Sequence, residues 1–263
     1  MCRGQVTITS VIIFAIVFTA ITYTIYYSYN MLEYQAQQTE FELAKNNMIY
    51  LAELIDKVAF SEKASNILRI NVRTVGINFI QGKEISLKAS IDANPLATFV
   101  PLNIEFKGGN LIGLAGFENL LGNESYISVN DSIPLEWVYT NQSNGAWIIC
   151  STRKFGITPL GSFKYTDAEG NEYKVFMIEI KYIILSKGSC TSTGTVTLVV
   201  KNNGISTETK VYSGPTSSVT FEVYEEGDSN PKDSYTISNI PSDVDYIVIT
   251  ITRSVVEISC GGG

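Results

Sequence analysis

The sequence predicts an α+β chain: a long N-terminal, transmembrane-grade α-helix followed by a β-rich, antiparallel, sandwich-like globular head. Three observations predict it. From Gln5 to Leu32 no residue carries a formal charge, and that run exceeds the roughly 20 helical residues needed to cross a hydrocarbon layer. From Met31 to about Ser65 there is neither Pro nor Gly, and Leu, Glu, Ala, Gln, Lys and Met dominate, all of them helix formers. After Ser65 the apolar period changes from 3.6 to 2, the spacing of a half-buried strand.

Residues 1-4 read as a short leader. Arg3 and the amino terminus put positive charge before the span, whereas the first charge after it is Glu33 and the first lysine is Lys45. The positive-inside bias therefore places the amino terminus in the cytoplasm and the head outside. Tyr23, Tyr26, Tyr27, Tyr29 and Tyr34 gather at the outer end, as an aromatic belt does at a membrane–water boundary. The apolar stretch is too long for a secretory signal and no Ala-x-Ala site follows it, so it is expected to stay on the mature chain. Cys2 precedes the stretch, so there is no lipobox.

The helix is predicted over residues 5-65. Beyond the span, Phe41, Ala44, Met48, Leu51, Ile55 and Val58 repeat with alternating steps of 3 and 4, a narrow seam of coiled-coil type. Glu53 and Lys57 form an i,i+4 pair off the seam. One continuous helix of this length measures roughly 90 Å. A head of this size cannot bury all of it, so the exposed part needs lipid or other copies of the same helix. The alternative is a break near Tyr29-Asn30, giving a plain anchor and a separate helix packed on the head.

The head is expected in two parts, residues 66-185 and 186-263, the second being a candidate for a separate immunoglobulin-like sandwich. Leu68, Ile70 and Val72 alternate with polar residues, as do Ile85, Leu87, Ala89 and Ile91. Gln81-Gly82 between these runs reads as a hairpin turn. Further strands are expected at 99–106, 147–150, 173–185, 195–201, 218–224 and 246–258. Glu169-Gly170-Asn171, Lys187-Gly188-Ser189, Asn202-Asn203-Gly204 and 227–231 read as turns between them.

Composition narrows the function classes. A net charge of −7 repels phosphate backbones and argues against a nucleic-acid partner. There is no histidine, which removes the commonest general base and zinc ligand. Cys150, Cys190 and Cys260 share the head; one disulfide with one thiol left over is expected, with the pairing open. No C-x-x-C pair points to zinc, Asp167, Glu169, Asn171 and Glu172 depart from a calcium-loop pattern, and no nucleophile–base arrangement is visible. No metal, no cofactor and no enzymatic activity are expected. The glycine-rich stretch 108–117 has neither dinucleotide nor Walker spacing; it reads as an apolar turn or as a loop touching a neighbouring subunit. Three sequons begin at Asn123, Asn130 and Asn141, and occupancy by glycan is expected at one or more.

A tiny leader ending Arg3-Gly4, then Gln5, then a retained apolar helix resembles the class III signal of type IV pilin-like proteins, archaeal pilins and archaellins especially. The resemblance is specific over residues 3–30 and architectural beyond. It implies that a prepilin peptidase acts at Arg3, Gly4 and Gln5, cutting after Gly4. It implies that the chain waits in the cytoplasmic membrane and that an assembly platform then extracts it into a homopolymeric helical filament. Ile8, Val11, Ile12, Phe14, Ile16, Phe18, Ile21 and Ile25 would line the filament core, with the heads outside. Thr9 stands where bacterial pilins carry Glu, and Thr7 and Thr9 stand where a related archaeal pattern has Ser and Glu. The function this implies is a cell-surface filament subunit for adhesion or motility. The alternative is a single-span anchored β-sandwich that grips the cell envelope, like stator-type accessory proteins of the archaeal motility machine.

Overall fold

The computed structural model describes residues 3–72, 76–109, 111–113, 116–129, 134–142, 145–189, 194–214 and 216–261. One helix, α1 (Arg3–Ala59), runs unbroken for 57 residues, so Tyr29-Asn30 is not a break. It ends before residue 65, because Ser65 already opens the first strand, β1 (Ser65–Val72).

The strands form three sheets. The largest has the order β1, β12 (Gly194–Ser213), β15 (Tyr246–Gly261), β11 (Glu172–Lys187), β10 (Phe155–Thr166), β7 (Ile127–Val129). A five-stranded sheet runs β2 (Gly76–Gln81), β5 (Leu102–Lys107), β9 (Ala146–Ser151), β8 (Trp137–Gln142), β6 (Glu118–Leu121). A four-stranded sheet runs β14 (Asp233–Ser238), β13 (Ser218–Glu225), β3 (Ile85–Ala89), β4 (Ala97–Phe99). Pairing is mostly antiparallel; β7 with β10 and β11 with β15 are parallel.

Three sequence expectations are corrected. Residue 186 lies inside β11, and strands from both sides of it share the large and the four-stranded sheets, so 186-263 is not a separately sheeted sandwich. Gln81-Gly82 is not a hairpin turn: β2 pairs with β5, whereas β3 pairs with β13 and β4. Asn202-Asn203-Gly204 does not end a strand; it is a bulge within the 20-residue β12. Turn chemistry and bulge chemistry use the same residues, and only cross-strand pairing separates them.

The large sheet serves two cores on opposite faces. In β11, Phe176, Ile178 and Ile180 join the four-stranded sheet in one apolar cluster, but Ile183 and Leu185 belong to the other. In β15 the same switch separates Ile247, Ile249 and Ile251 from Val256 and Ile258. Even and odd positions of a strand face opposite ways, so the cores lie on opposite faces at opposite ends of the sheet. The core that Ile183, Leu185, Val256 and Ile258 join encloses the second half of α1 between the large and five-stranded sheets. The long strands join the two cores into one body.

The helix stops where its last carbonyls are met by other groups. Ser61 Oγ donates to Lys57 O at 3.1 Å. Asn202 Nδ2 donates to Val58 O at 3.1 Å and Ala59 O at 2.6 Å. Ser254 Oγ also donates to Ala59 O. Both side chains are buried, so they replace the water that an exposed helix end would use.

Candidate assembly surface

Residues 9–36 of α1 are clear of the head; the first buried side chain is Gln37. That free length is roughly 42 Å at the helical rise. Val11, Ile12, Phe14, Ile16, Phe18, Ile21 and Ile25 are exposed, and they point all round the helix rather than to one side. The helix is long and apolar enough to cross a membrane. Three of its hydroxyls are satisfied internally: Thr19, Thr22 and Thr24 donate to the carbonyls of Ala15, Phe18 and Ala20 at 2.8, 2.9 and 2.8 Å. Such i−4 bonds let a hydroxyl enter a water-free environment without losing a partner. The tyrosines of the predicted belt are exposed in the half of this segment nearer the head. Arg3, Gly4 and Gln5 open α1; their side chains and that of Ile8 lie outside the described residues.

The predicted seam faces the chain's own head. Phe41, Ala44, Met48, Leu51, Ile55 and Val58 are all buried in the helix core cluster, so no sister helix is needed to cover them. Ala52, Leu54 and Ala59 are buried too. Two sheets flank this half of the helix, and its covered arc is therefore wider than a heptad seam.

The glycine stretch clamps the helix at its exit. Gln37 Oε1 accepts from Leu111 N at 3.1 Å, and its Nε2 donates to Glu33 at 3.0 Å. A Cβ on Gly109 would sit 2.3 Å from Gln37 Oε1, and one on Gly108 would sit 2.8 Å from the Phe41 ring. A side chain at Gly108 would press on the buried Phe41 ring and one at Gly109 on the Gln37 amide, so loop and helix touch backbone to side chain. These two residues therefore belong to an intramolecular contact.

A second apolar surface lies at the far end of the large sheet, on the face opposite its four-stranded partner. Phe163, Tyr173, Val175, Met177, Val211 and Val248 line an open hollow of about 690 Å³ there. Gly161, at a bulge in β10 with φ +95°, pairs with Met177, and a Cβ there would meet nothing within 4 Å. The alternation of β11 contains this face, but nothing in the sequence says that no layer covers it.

The remaining predicted positions are dispersed. Asn123 and Asn141 are exposed; Asn130 lies outside the described residues. Cys260 is disulfide-bonded, Cys150 is a free buried thiol, and Cys190 lies outside the described residues. Asp167 accepts from Glu169 N at 2.9 Å and from Asn171 N at 2.8 Å, which makes the acidic loop a self-bonded hairpin tip. Sequence reasoning missed one cluster altogether: Glu136 and Lys154 are buried together beside Asn123. Burial pushes the Glu136 carboxyl well above the ordinary carboxylate range, with Asp56 adding repulsion, and it lowers the Lys154 amine to about 8. Isolated charged residues between strands carry no sequence signal for this.

No protein-family model, curated protein or solved structure matches the chain.

Proposed function

We propose that this chain is a structural subunit of an extracellular filament of the type IV pilin-like kind, serving adhesion or motility. The carrying observation is the unbroken helix whose first half is bare and apolar on every side while its second half is locked in the head core. A bare apolar rod in water exposes area worth about 25 cal/mol per Å². Either lipid or a bundle of identical rods removes that exposure. The contact of the glycine loop with Gln37 and Phe41 ties the rod to the head, which suits a polymer with fixed helical symmetry. The apolar hollow at the far end of the head suits contact between heads.

In this reading the partners are further copies of the chain, the cytoplasmic membrane before assembly, and a prepilin peptidase and assembly platform. The role is structural, the localisation is the cell surface, and the sequons are acceptors for surface glycan. The test is the native amino terminus together with electron microscopy of sheared surface material. A chain beginning at Gln5 and present in fibres supports the reading. A chain beginning at Met1 or Cys2 and always lipid-bound as a monomer rejects it. The internally satisfied threonines favour a second reading, a permanently anchored envelope-binding module.

A further inference from the structure

We infer that Lys154 and Asn123 form an intramolecular amide cross-link, a self-catalysed modification that ties the loop after β6 to the segment between β9 and β10. The two groups are already in contact: Lys154 Nζ lies 2.9 Å from Asn123 Oδ1. Lys154 is 1% exposed, and among the described residues no carboxylate stands within ion-pair distance of it. A buried ammonium whose partner among the described residues is an amide oxygen is a poor resting state. Glu136 is wholly buried in the same region, and neither of its carboxyl oxygens has a partner on another described residue. The charge of each is felt by the other.

The loop is held in place for the reaction. Gly122 has φ +71°, and a Cβ there would stand 2.6 Å from Glu136 O and 3.1 Å from Lys154 Nζ. Arg153 Nη2 donates to Glu124 O at 2.8 Å, and its guanidinium stacks 4.3 Å from the Tyr126 ring. Asp233 Oδ2 accepts from Tyr126 N at 2.8 Å and Ile127 N at 3.0 Å. Fixing an amine against an amide in this way supplies the orientation that an intermolecular reaction lacks.

The chemistry balances without a co-reactant. Burial leaves part of the Lys154 population as free amine near neutrality, and the same effect keeps Glu136 in its acid form. The Nζ lone pair attacks Asn123 Cγ, and the carbonyl π pair moves onto Oδ1. One proton passes from Nζ to the departing Nδ2. The Cγ–Nδ2 bond breaks as the Cγ–Nζ bond is completed, and ammonia leaves. Nothing is oxidised or reduced. A cross-linked Asn123 cannot carry an N-linked glycan, so the two fates exclude each other.

The test is mass spectrometry of the full chain purified in detergent. Peptide sequencing is expected to find Lys154 joined to Asn123, with the intact wild-type mass lower by one ammonia. Lys154→Arg and Asn123→Ala are expected to abolish that loss. An unmodified Lys154 peptide in the folded wild type overturns the inference. So does a glycan on Asn123, or an ammonia loss that persists in Lys154→Arg, because cyclisation of an amino-terminal Gln5 releases ammonia too. The wild-type peptide decides even if a variant fails to fold, and it does so whether or not the chain forms filaments.

Discussion

Asn202 donates its side-chain amide to the carbonyl of Ala59 at 2.6 Å, so a strand bulge sets where the long helix ends. The extra residue in β12 keeps Asn202 opposite Val256 and on the helix side of the sheet. Its own Oδ1 accepts from Gly204 N at 2.7 Å, and its backbone N–H donates to Ala64 O at 2.9 Å. Helix end, connecting turn and sheet are thus joined through one buried side chain.

Replacing it tests that junction. Asn202→Leu leaves buried carbonyls short of donors, which costs about 1–3 kcal/mol. The head's unfolding temperature is expected to fall by about 2–4 °C per kcal/mol for a body of this size, read by calorimetry in detergent. Unchanged unfolding would show that water caps the helix as well as Asn202 does.

The two halves of α1 are expected to respond oppositely to truncation. Met48→Ala opens a cavity in the core and costs about 2–5 kcal/mol. Phe14→Ala leaves head stability unchanged, because Phe14 is 71% exposed and touches no part of the head. Phe14→Glu places a charge near the middle of the span, a cost of about 2.5–3.5 kcal/mol for such a residue in lipid. It is expected to abolish membrane insertion and fibre formation while the head still folds. Vesicle flotation and negative-stain microscopy read the first effect, and circular dichroism of the head reads the second.

Glu136 predicts a pH dependence with a definite sign. Its carboxyl is held well above the ordinary value of 4.5 by burial, so the folded chain binds the proton more tightly than the unfolded one. Its contribution to stability is full below about 4.5 and is lost as pH rises toward the folded value. Glu136→Gln does not titrate, so its stability is expected to lack that decline, whatever its absolute level. Urea midpoints at intervals between pH 4 and pH 8 read the slope. Parallel curves for the two proteins would show that Glu136 is ionised in the folded state.

The cysteines are expected to behave differently. Cys150 is buried, and burial with the nearby Glu136 charge pushes its thiol well above the usual range. Maleimide should leave Cys150 unlabelled until the chain is unfolded. Cys260→Ser removes a disulfide and is expected to cost about 2–4 kcal/mol. Its amide donates to Ser189 O at 2.8 Å, so the lost cross-link should loosen the end of β15 first. Hydrogen exchange at that strand end measures this directly.

Much of the architecture is legible in the amino-acid order. The uncharged run to Leu32 and the 3–4 spacing from Phe41 to Val58 specify one long helix, because helical periodicity is local and survives without tertiary context. The strands at 147–150, 173–185, 218–224 and 246–258 were readable for the same reason. Strand β10 was not, because Gly156, Pro159 and Gly161 interrupt its alternation; it is held instead by pairing with β11. The pairings of β1 with β12 and of β3 with β13 were equally hidden, since pairing across more than a hundred residues leaves no local trace.

The sequence by itself determined that this chain has an apolar rod and a β-rich head, because charge and periodicity are properties of neighbouring residues. Tertiary structure alone decided what covers each surface. It turned the coiled-coil-like seam inward against two sheets, left the first half of the rod and the far face of the large sheet bare, and brought Lys154 against Asn123. Those outcomes depend on which distant groups exclude water from one another, and burial is a property of the assembled fold rather than of any segment within it.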